Sequence, residues 1–458
     1  MAIARCVELT MSDYESKRAR LSEQMRRAGG VRLDKRTSNL FRTREVASQE
    51  DRLSVRDFNH VIAVNPDEGW ADVEGMTTYE DFVNETLRYG FMPAVVPQLK
   101  TITIGGAVAG VGIESTSFRY GLVHETVLEM EILLANGETV VCNAEKNRDL
   151  FYGFPNSYGT FGYALRLKVK LIPVKPFVKI SHTRYNDAPS YFQAIEKVCA
   201  RDERGDSAHI IPDFVDGTMF GPGEMYLTTG TFVDTAPFVS DYTYKNIYYK
   251  SIRTRKDDYL SVYDYIWRWD TDWFWCSKAF GAQNPFIRTL LGKKRLNSAA
   301  YWKMRNFAEN HQSLLKLASP FSRREPVIQD IDVPIENAPK YEKFFFDEIN
   351  IRPVWICPFR AYEKTAKFNF YSFDPEKLYI NFGFWNSVAT TKEKGYYNRL
   401  IEKKVSELQG KKGLYSDSYY TEKEFWEMYD KTAYDALKQK YDPQGKLKNL
   451  FDKCVKRK

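Results

Sequence analysis

Long apolar runs, histidine and paired cysteine are scarce in this chain, and each shortage removes a class of function. No stretch approaches the roughly 20 apolar residues that cross a bilayer. The N-terminal residues carry Glu8, Asp13, Glu15 and several basic side chains, with no apolar signal core. A cytoplasmic protein is expected, at most peripheral to a membrane. The five histidines, His60, His124, His182, His209 and His311, are scattered, with no two at metal-ligand spacing, so no metal site is expected. The six cysteines, Cys6, Cys142, Cys199, Cys276, Cys357 and Cys454, never form C-x-x-C, which suggests neither a zinc site nor a disulfide framework and fits a reducing compartment. No G-x-S-x-G hydrolase elbow and no G-x-x-x-x-G-K-[ST] loop occurs. Gly110-Val111-Gly112 begins a G-x-G-x-x-G fingerprint, but Ser115 stands where the third glycine belongs, so the local sequence does not support a Rossmann turn.

What is present is a soluble, aromatic-rich chain. With 458 residues there is room for two or three domains. Hydrophobic residues at 43% against charged residues at 28% give a globular balance with a sizeable core. The net charge of +7 suits anionic cofactors or anionic membrane surfaces but is too diffuse to argue for nucleic acid. The basic run Lys456-Arg457-Lys458 reads as a solvated tail. Aromatics at 15% point to large apolar pockets or interfaces.

The stretch from Pro97 to Gly121 is the densest signal. Gly105, Gly106, Gly110 and Gly112 sit among small and β-branched residues, followed by Ser115, Thr116, Ser117, Tyr120 and Gly121. Glycines permit positive φ and close backbone approach, free N–H groups can form a nest for phosphate oxygens, and hydroxyls add donors. A cofactor bearing a pyrophosphate is the functional reading; a glycine-rich turn between packed strands is the structural one. Both stay open on composition.

Around that stretch, Met11 to Arg27 reads as an exposed helix ended by Gly29-Gly30, and Val31 to Arg42 as a loop offering Lys35, Arg36, Thr37, Ser38 and Arg42. His60–Val64 and Trp70–Glu74 read as strands, Thr77-x-x-Glu80 as a capping box, and Asn136-Gly137 as a hairpin turn between Val127–Leu134 and Thr139–Cys142. A second glycine turn, Gly159-Thr160-Phe161-Gly162, leads into a strand that ends near Pro173 and Pro176, a domain edge. Beyond it, Tyr259 to Phe280 is crowded with aromatics and interleaved with Arg268, Asp270 and Asp272, as a substrate pocket wall or a core would be. Ile328–Ile335 contains acids and reads as an ordered loop or edge strand; Pro353–Phe359 and Leu378–Phe384 read as apolar strands.

PAVVPQLKTITIGGAVAGVGIESTSFRYGL resembles the flavin-binding segment of the 24-dehydrocholesterol reductase (Diminuto/Dwarf) family, FAD-linked oxidoreductases of the vanillyl-alcohol oxidase type. The resemblance continues through EILLANGETVVC, NRDLFYGFPNSYGTFGY and LIPVKPFVKI, and more weakly through NPFIRTLLGK, RPVWICPF and LYSDSYYTEKEFWEMYD. It implies an α+β fold: a PCMH-type FAD-binding domain of two subdomains over residues 1–175, then an α+β cap over 176–458 whose C-terminal segments return to the flavin. It implies that Thr103, Ile104, Gly105, Gly106, Ala107, Gly110, Gly112, Ile113, Glu114 and Ser115 wrap the pyrophosphate and ribityl region, with Ser117, Tyr120 and Gly121 following. Gly159, Thr160 and Gly162 would form a second loop, and Val31 to Arg42 the first phosphate-side loop. That first loop holds no histidine or cysteine, so noncovalent FAD is expected. Tyr301-Trp302-Lys303 lacks the histidine of the aldonolactone oxidases' H-W-x-K motif.

The sequence shows no N-terminal anchor like that of eukaryotic sterol reductases. It looks closer to bacterial flavoproteins associated with reducing methylene branches on fatty acyl chains. Both readings share one reaction, NADPH-supported saturation of an unactivated lipid C=C, with a methyltransferase as the expected partner for the fatty acyl case and no nucleic acid. The reaction needs a placed acid, for which Asp270, Asp272, Tyr415 and Asp417 are the candidates. Two other functions remain: a flavin oxidase passing electrons to oxygen or another acceptor, and a non-catalytic flavin- or lipid-binding partner within a lipid-modifying complex.

Overall fold

The computed structural model describes residues 2–42, 51–200, 211–310 and 323–456. His209, His311, Arg457 and Lys458, and the side chains of Cys6 and Glu8, lie outside the described residues.

Two antiparallel sheets organise the molecule. The first runs in the order Val61–Asn65, Trp70–Glu74, Tyr163–Pro173, Val127–Leu133, Thr139–Asn143, with Phe91–Pro93 also pairing with Tyr163–Pro173. The central strand alternates Leu165, Leu167, Val169 and Leu171 with Arg166, Lys168 and Lys170, a period of two that buries one face. The expected hairpin is present, its turn closed by Gly137 at φ +84°. A two-stranded parallel ribbon, Val31–Asp34 with Asp51–Ser54, stands beside this sheet.

The helix Ala2–Arg27 is longer than its sequence suggested, and it is not an exposed helix. Tyr14, Leu21 and Met25 recur at helical spacing and are buried, and the Tyr14 hydroxyl donates to Glu131 at 2.9 Å. Lys17 lies between Asp13 and Glu74, placing an ammonium within the Asp13–His60–Glu74 grouping of potential ligand atoms. Tyr79–Thr86 is helical as expected, but Thr78 rather than Thr77 caps it, accepting from the Asp81 amide at 3.2 Å.

Between Pro173 and Phe177 the chain crosses to the second sheet. Its order is Asp257–Ser261, Phe177–Tyr185, Glu224–Val233, Phe214–Gly221, Val354–Phe359, Tyr379–Ala389, Arg324–Pro334, Lys411–Lys412. Helices Ala188–Val198, Ala338–Glu348 and Tyr396–Glu407 share one core with this sheet through Tyr191, Ile195, Tyr341, Phe345, Ile401 and Val405. Alternation decides which side chains face away: Val354 and Ile356 join that core, whereas Trp355 and Cys357 join the core shared with the first sheet. The site lies where these two layers meet. Helices Glu422–Met428 and Lys431–Tyr441 pack back onto the first sheet's domain, where Tyr441 donates to Asp149 at 2.9 Å and Lys438 to the Thr160 carbonyl at 2.8 Å. Among the described residues no helix is long and apolar enough to cross a membrane.

Candidate active site

The glycine stretch is neither an open nest nor a turn between strands. Ile104–Gly110 is a short helix, with Thr103 as its N-cap accepting from the Gly106 amide at 3.3 Å. None of Gly105, Gly106, Gly110 or Gly112 takes positive φ. Their value is close approach. A methyl on Gly105 would lie 2.7 Å from the Gly75 carbonyl oxygen, and one on Gly75 2.0 Å from the Ala164 carbonyl oxygen. Two backbones are thereby pressed against the first sheet, leaving the far side of the helix open. Positive φ falls instead on Val111 at the helix end and on the second loop, at Asn156, Tyr158, Gly159 and Gly162. That loop docks on the first, because the Tyr158 amide donates to the Ala109 carbonyl at 3.1 Å and its hydroxyl to Gly110 at 3.2 Å.

A single cavity runs between these two loops and Val31 to Arg42. Thr103, Gly105, Gly106, Ala107, Gly110, Gly112, Ile113, Glu114, Gly159 and Gly162 all line it. The remaining expected flavin residues stand behind its wall. Ile104 is core; Ser115 and Thr160 are buried; Ser117 accepts from the Glu114 amide at 3.1 Å; Tyr120 packs on Tyr362; and Gly121, at φ +72°, faces Glu125.

Arg42 supplies the electrostatic signature. It is buried, its Nη1 donates to the Leu414 carbonyl at 2.9 Å, and its guanidinium lies over the Tyr158 ring at 4.7 Å. Its Nε and Nη2 meet no protein acceptor. A buried guanidinium without a carboxylate is strongly unfavourable unless an anion joins it. Arg32, Lys35, Lys448 and Lys453 line the same cavity. Close backbone approach, donors without acceptors and a cationic lining fit a ligand carrying a pyrophosphate.

At the other end the cavity becomes aromatic, walled by Trp273, Phe274, Trp355 and Trp385. Only Trp273 and Phe274 of these come from the aromatic stretch, whose Tyr265, Trp267 and Trp269 are packed into the core instead. Asp270 and Asp272 do not open onto the cavity. Asp270 accepts from the Lys100 amide at 3.0 Å and is held by Ser298; Asp272 is paired with Arg288 at 2.7 and 3.0 Å and accepts from Ser277. Asp417 lines a second, more polar cavity that also borders the Val31–Arg42 segment.

Tyr415 does line the aromatic end, beside Asp330. The two side chains face each other, the Asp330 Oδ1 has no hydrogen-bond partner, and the Trp385 indole donates to the Tyr415 hydroxyl at 3.0 Å. Burial, reinforced by Asp332, pushes the Asp330 carboxyl up to about 7, although the neighbouring Tyr415 opposes the shift. Neutral pH therefore leaves it substantially protonated. Asp330 was missed as a site residue because its segment read as a loop or edge strand. Arg324–Pro334 is in fact a long strand inside the sheet, flanked along its length by Tyr379–Ala389 and at Ile331 and Asp332 by Lys411–Lys412. The available signal was two acids, Asp330 and Asp332, spaced by two on the strand face that also carries Pro326, Ile328 and Pro334. Glu114 forms the other titratable group. It is bonded to Gln98 and lies 3.5 Å from Arg268, which in turn pairs with Asp216 at 2.8 Å; burial pushes Glu114 up to about 7 against the pull of Arg268. Cys276 also lines the cavity, its thiol pushed up to about 12 by burial.

Fold and cavity together define an FAD-dependent oxidoreductase built on an α+β, PCMH-type FAD-binding domain. Residues 37–143 match the FAD binding domain family, a span that includes Arg42 and the Thr103–Glu114 wall. The chain resembles the Delta(24)-sterol reductases: it is 29% identical to that of Homo sapiens over 84% of this chain and 74% of the human protein, and 26% identical to that of Arabidopsis thaliana over 88% and 76%. Cytokinin dehydrogenase 1 of Arabidopsis thaliana is 28% identical over 30% of this chain and 24% of its own length.

Proposed function

We propose that the protein saturates an unactivated C=C bond in a lipid, with NADPH as the electron source and the Asp330–Tyr415 pair as the proton source. The observation that carries this reading is the pair itself: a buried carboxyl raised to about 7, beside a phenol at the aromatic end of the flavin cavity. Bound FAD, held noncovalently, would supply the hydride from its reduced N5. The chain's residues do the rest. Tyr415 gives its proton to the less substituted alkene carbon as Asp330 passes its own proton to the phenol oxygen, leaving an Asp330 carboxylate. The tertiary cation so formed faces the rings of Trp273, Phe274, Trp355 and Trp385, which favour positive charge and exclude water. One proton and one hydride balance the saturation, and solvent reprotonates Asp330.

The relatives named as Delta(24)-sterol reductases support a lipid alkene as the substrate class. A methylene-branched fatty acyl chain, supplied by a partner methyltransferase, and a sterol side chain both offer an alkene that protonates to a tertiary cation. The second cavity supports NADPH, for Arg32, Arg36, Arg52 and Arg305 line it and present cations suited to the donor's phosphates.

The test is an anaerobic titration of the purified holoprotein. NADPH is expected to bleach the flavin bands, and a methylene-branched acyl lipid or a Δ24 sterol to restore them, the productive one naming the substrate. Reoxidation by oxygen as fast as by either alkene would overturn the reductase reading in favour of an oxidase. Flavin that NADPH leaves unbleached would remove NADPH as the donor.

A further inference from the structure

Among the described residues, the two most exposed large apolar side chains are Phe286 and Leu290, 72% and 66% accessible. They sit four residues apart on the helix Pro285–Leu291, with Ile287 exposed beside them. The helix cannot turn them inward. Asn284 caps its start, and Arg288 occupies its inner face, held by Asp272 at 2.7 and 3.0 Å, by the Ala282 carbonyl at 3.1 Å and by the Tyr244 carbonyl. Gly292 ends the helix at φ +69°, and Lys293, Lys294 and Arg295 follow at once, all exposed. Lys245 reaches the same helix from a neighbouring segment, donating to Thr289 at 3.2 Å. No salt bridge engages Lys293, Lys294 or Arg295 among the described residues; the nearby carboxylate that responds to Lys293 is the exposed Asp241.

Isolated surface leucines need no explanation, but an apolar ridge edged by cations with no salt-bridge partner among the described residues does. A protein interface would bury the ridge and leave the cations wanting carboxylates. The headgroup layer of an anionic bilayer satisfies both at once, accepting apolar side chains below the phosphates and cations among them. We propose that Phe286, Ile287 and Leu290 form a docking ridge that seats the enzyme on an anionic phospholipid surface, with Lys245, Lys293, Lys294 and Arg295 as its electrostatic rim. Asp272 gives the ridge its link to chemistry, because the same carboxylate that anchors Arg288 is joined through the backbone to Trp273, a wall of the flavin cavity. This deepens the lipid reading above but is tested by binding, so either can fail while the other stands.

The experiment is cosedimentation of the FAD-loaded full chain with phosphatidylcholine vesicles, with and without phosphatidylglycerol. Wild-type protein is expected to bind the anionic vesicles and to be released by high salt as the charges are screened. The combined variant Phe286→Ser, Leu290→Ser is expected to lower partitioning by at least about tenfold. The combined variant Lys293→Glu, Lys294→Glu is expected to lower it by about tenfold or more, on anionic vesicles only. An unchanged flavin spectrum verifies that each variant is folded, and the charge variant decides the matter if the serine variant is not. Absence of wild-type binding, or binding that both variants retain, would overturn the proposal. So would a wild-type dimer that Phe286→Ser dissociates while vesicle binding is absent, because the ridge would then be a self-interface.

Discussion

The Trp385 indole donates to the Tyr415 hydroxyl at 3.0 Å, from the strand that pairs with the one carrying Asp330. Between them Gly383 is packed so closely that a methyl there would lie 2.6 Å from Asp330 Oδ1 and 2.7 Å from the Trp385 ring. The phenol thus accepts from the indole on one side and faces the Asp330 carboxyl on the other, an arrangement that would ease loss of its proton without a full negative charge.

Turnover should therefore follow the protonated fraction of Asp330. In wild-type protein the rate of the alkene half-reaction is expected to be flat below about pH 7 and to fall roughly tenfold per unit above it. Asp330→Asn and Tyr415→Phe should each lower that rate by about 100- to 10,000-fold with flavin still bound. Stopped-flow reoxidation of pre-reduced enzyme across pH measures both effects, and an Asp330→Asn enzyme with wild-type rates would remove this carboxyl as the acid.

The same carboxyl leaves a mark on stability. Its value is raised to about 7 in the folded chain against an ordinary value of about 4. The folded state therefore keeps a proton that the unfolded state releases over that interval. Stability from this group is fully present below about pH 4 and is lost as pH rises through about 7. Asp330→Asn should accordingly melt higher than wild type at about pH 8, with the difference shrinking toward pH 4, a trend that thermal melts of the apoprotein would show.

Arg42 separates cofactor binding from stability. Its Nε and Nη2 have no protein acceptor, so Arg42→Met should leave the apoprotein's melting point unchanged or higher. FAD affinity should fall by about tenfold or more, because a charge-assisted contact to the cofactor is lost. Fluorescence titration of the apoprotein with FAD checks the second effect and calorimetry the first.

The ion pair of Asp272 predicts the opposite pattern. Asp272→Asn leaves the buried Arg288 without its partner, which costs about 3–5 kcal/mol of stability. Protein that remains folded should retain the pH dependence of turnover unchanged. A shifted pH profile in that variant would return Asp272 to the acid's role.

Backbone contact supplies a sharper test. Gly75→Ala would set a methyl 2.0 Å from the Ala164 carbonyl, a clash between two backbones that no rotamer relieves, and is expected to abolish soluble holoprotein. Gly106→Ala meets only the Thr103 side chain at 2.8 Å and should be tolerated far better. Yield and flavin content of the two variants would make the comparison.

The glycine clusters at Gly105–Gly112 and Gly159–Gly162 stood out in the sequence and line the cavity, whereas the contacts that require them, Gly105 on Gly75 and Gly75 on Ala164, join distant segments that a sequence does not display. The hairpin at Asn136-Gly137 was readable from its turn residues, and the α+β class from the resemblance. The proposed acid was harder. Asp330 and Tyr415 are distant in sequence and meet only through the second sheet, and Asp270 and Asp272 drew notice because they sit among aromatics. Aromatic density marked the region without showing which rings face the cavity: Trp273 and Phe274 do, Trp269 does not, and Trp355 and Trp385 arrive from strands that looked like plain core. The N-terminal helix misled through its charge, since Lys17 and Arg18 mask the buried stripe of Tyr14, Leu21 and Met25 by pairing with Glu74 and Glu131.

The flavin domain is closed by both ends of the chain. Lys446 donates to the Met25 carbonyl, Lys438 ties down the loop at Thr160, and Tyr441 holds Asp149. A nascent chain emerging from the ribosome would thus complete the eight-stranded layer, apart from Lys411–Lys412, while the first layer still waited for its closing helices. Truncation before Lys438 would remove these ties and is expected to lower the flavin content, even though the FAD-family segment itself is intact.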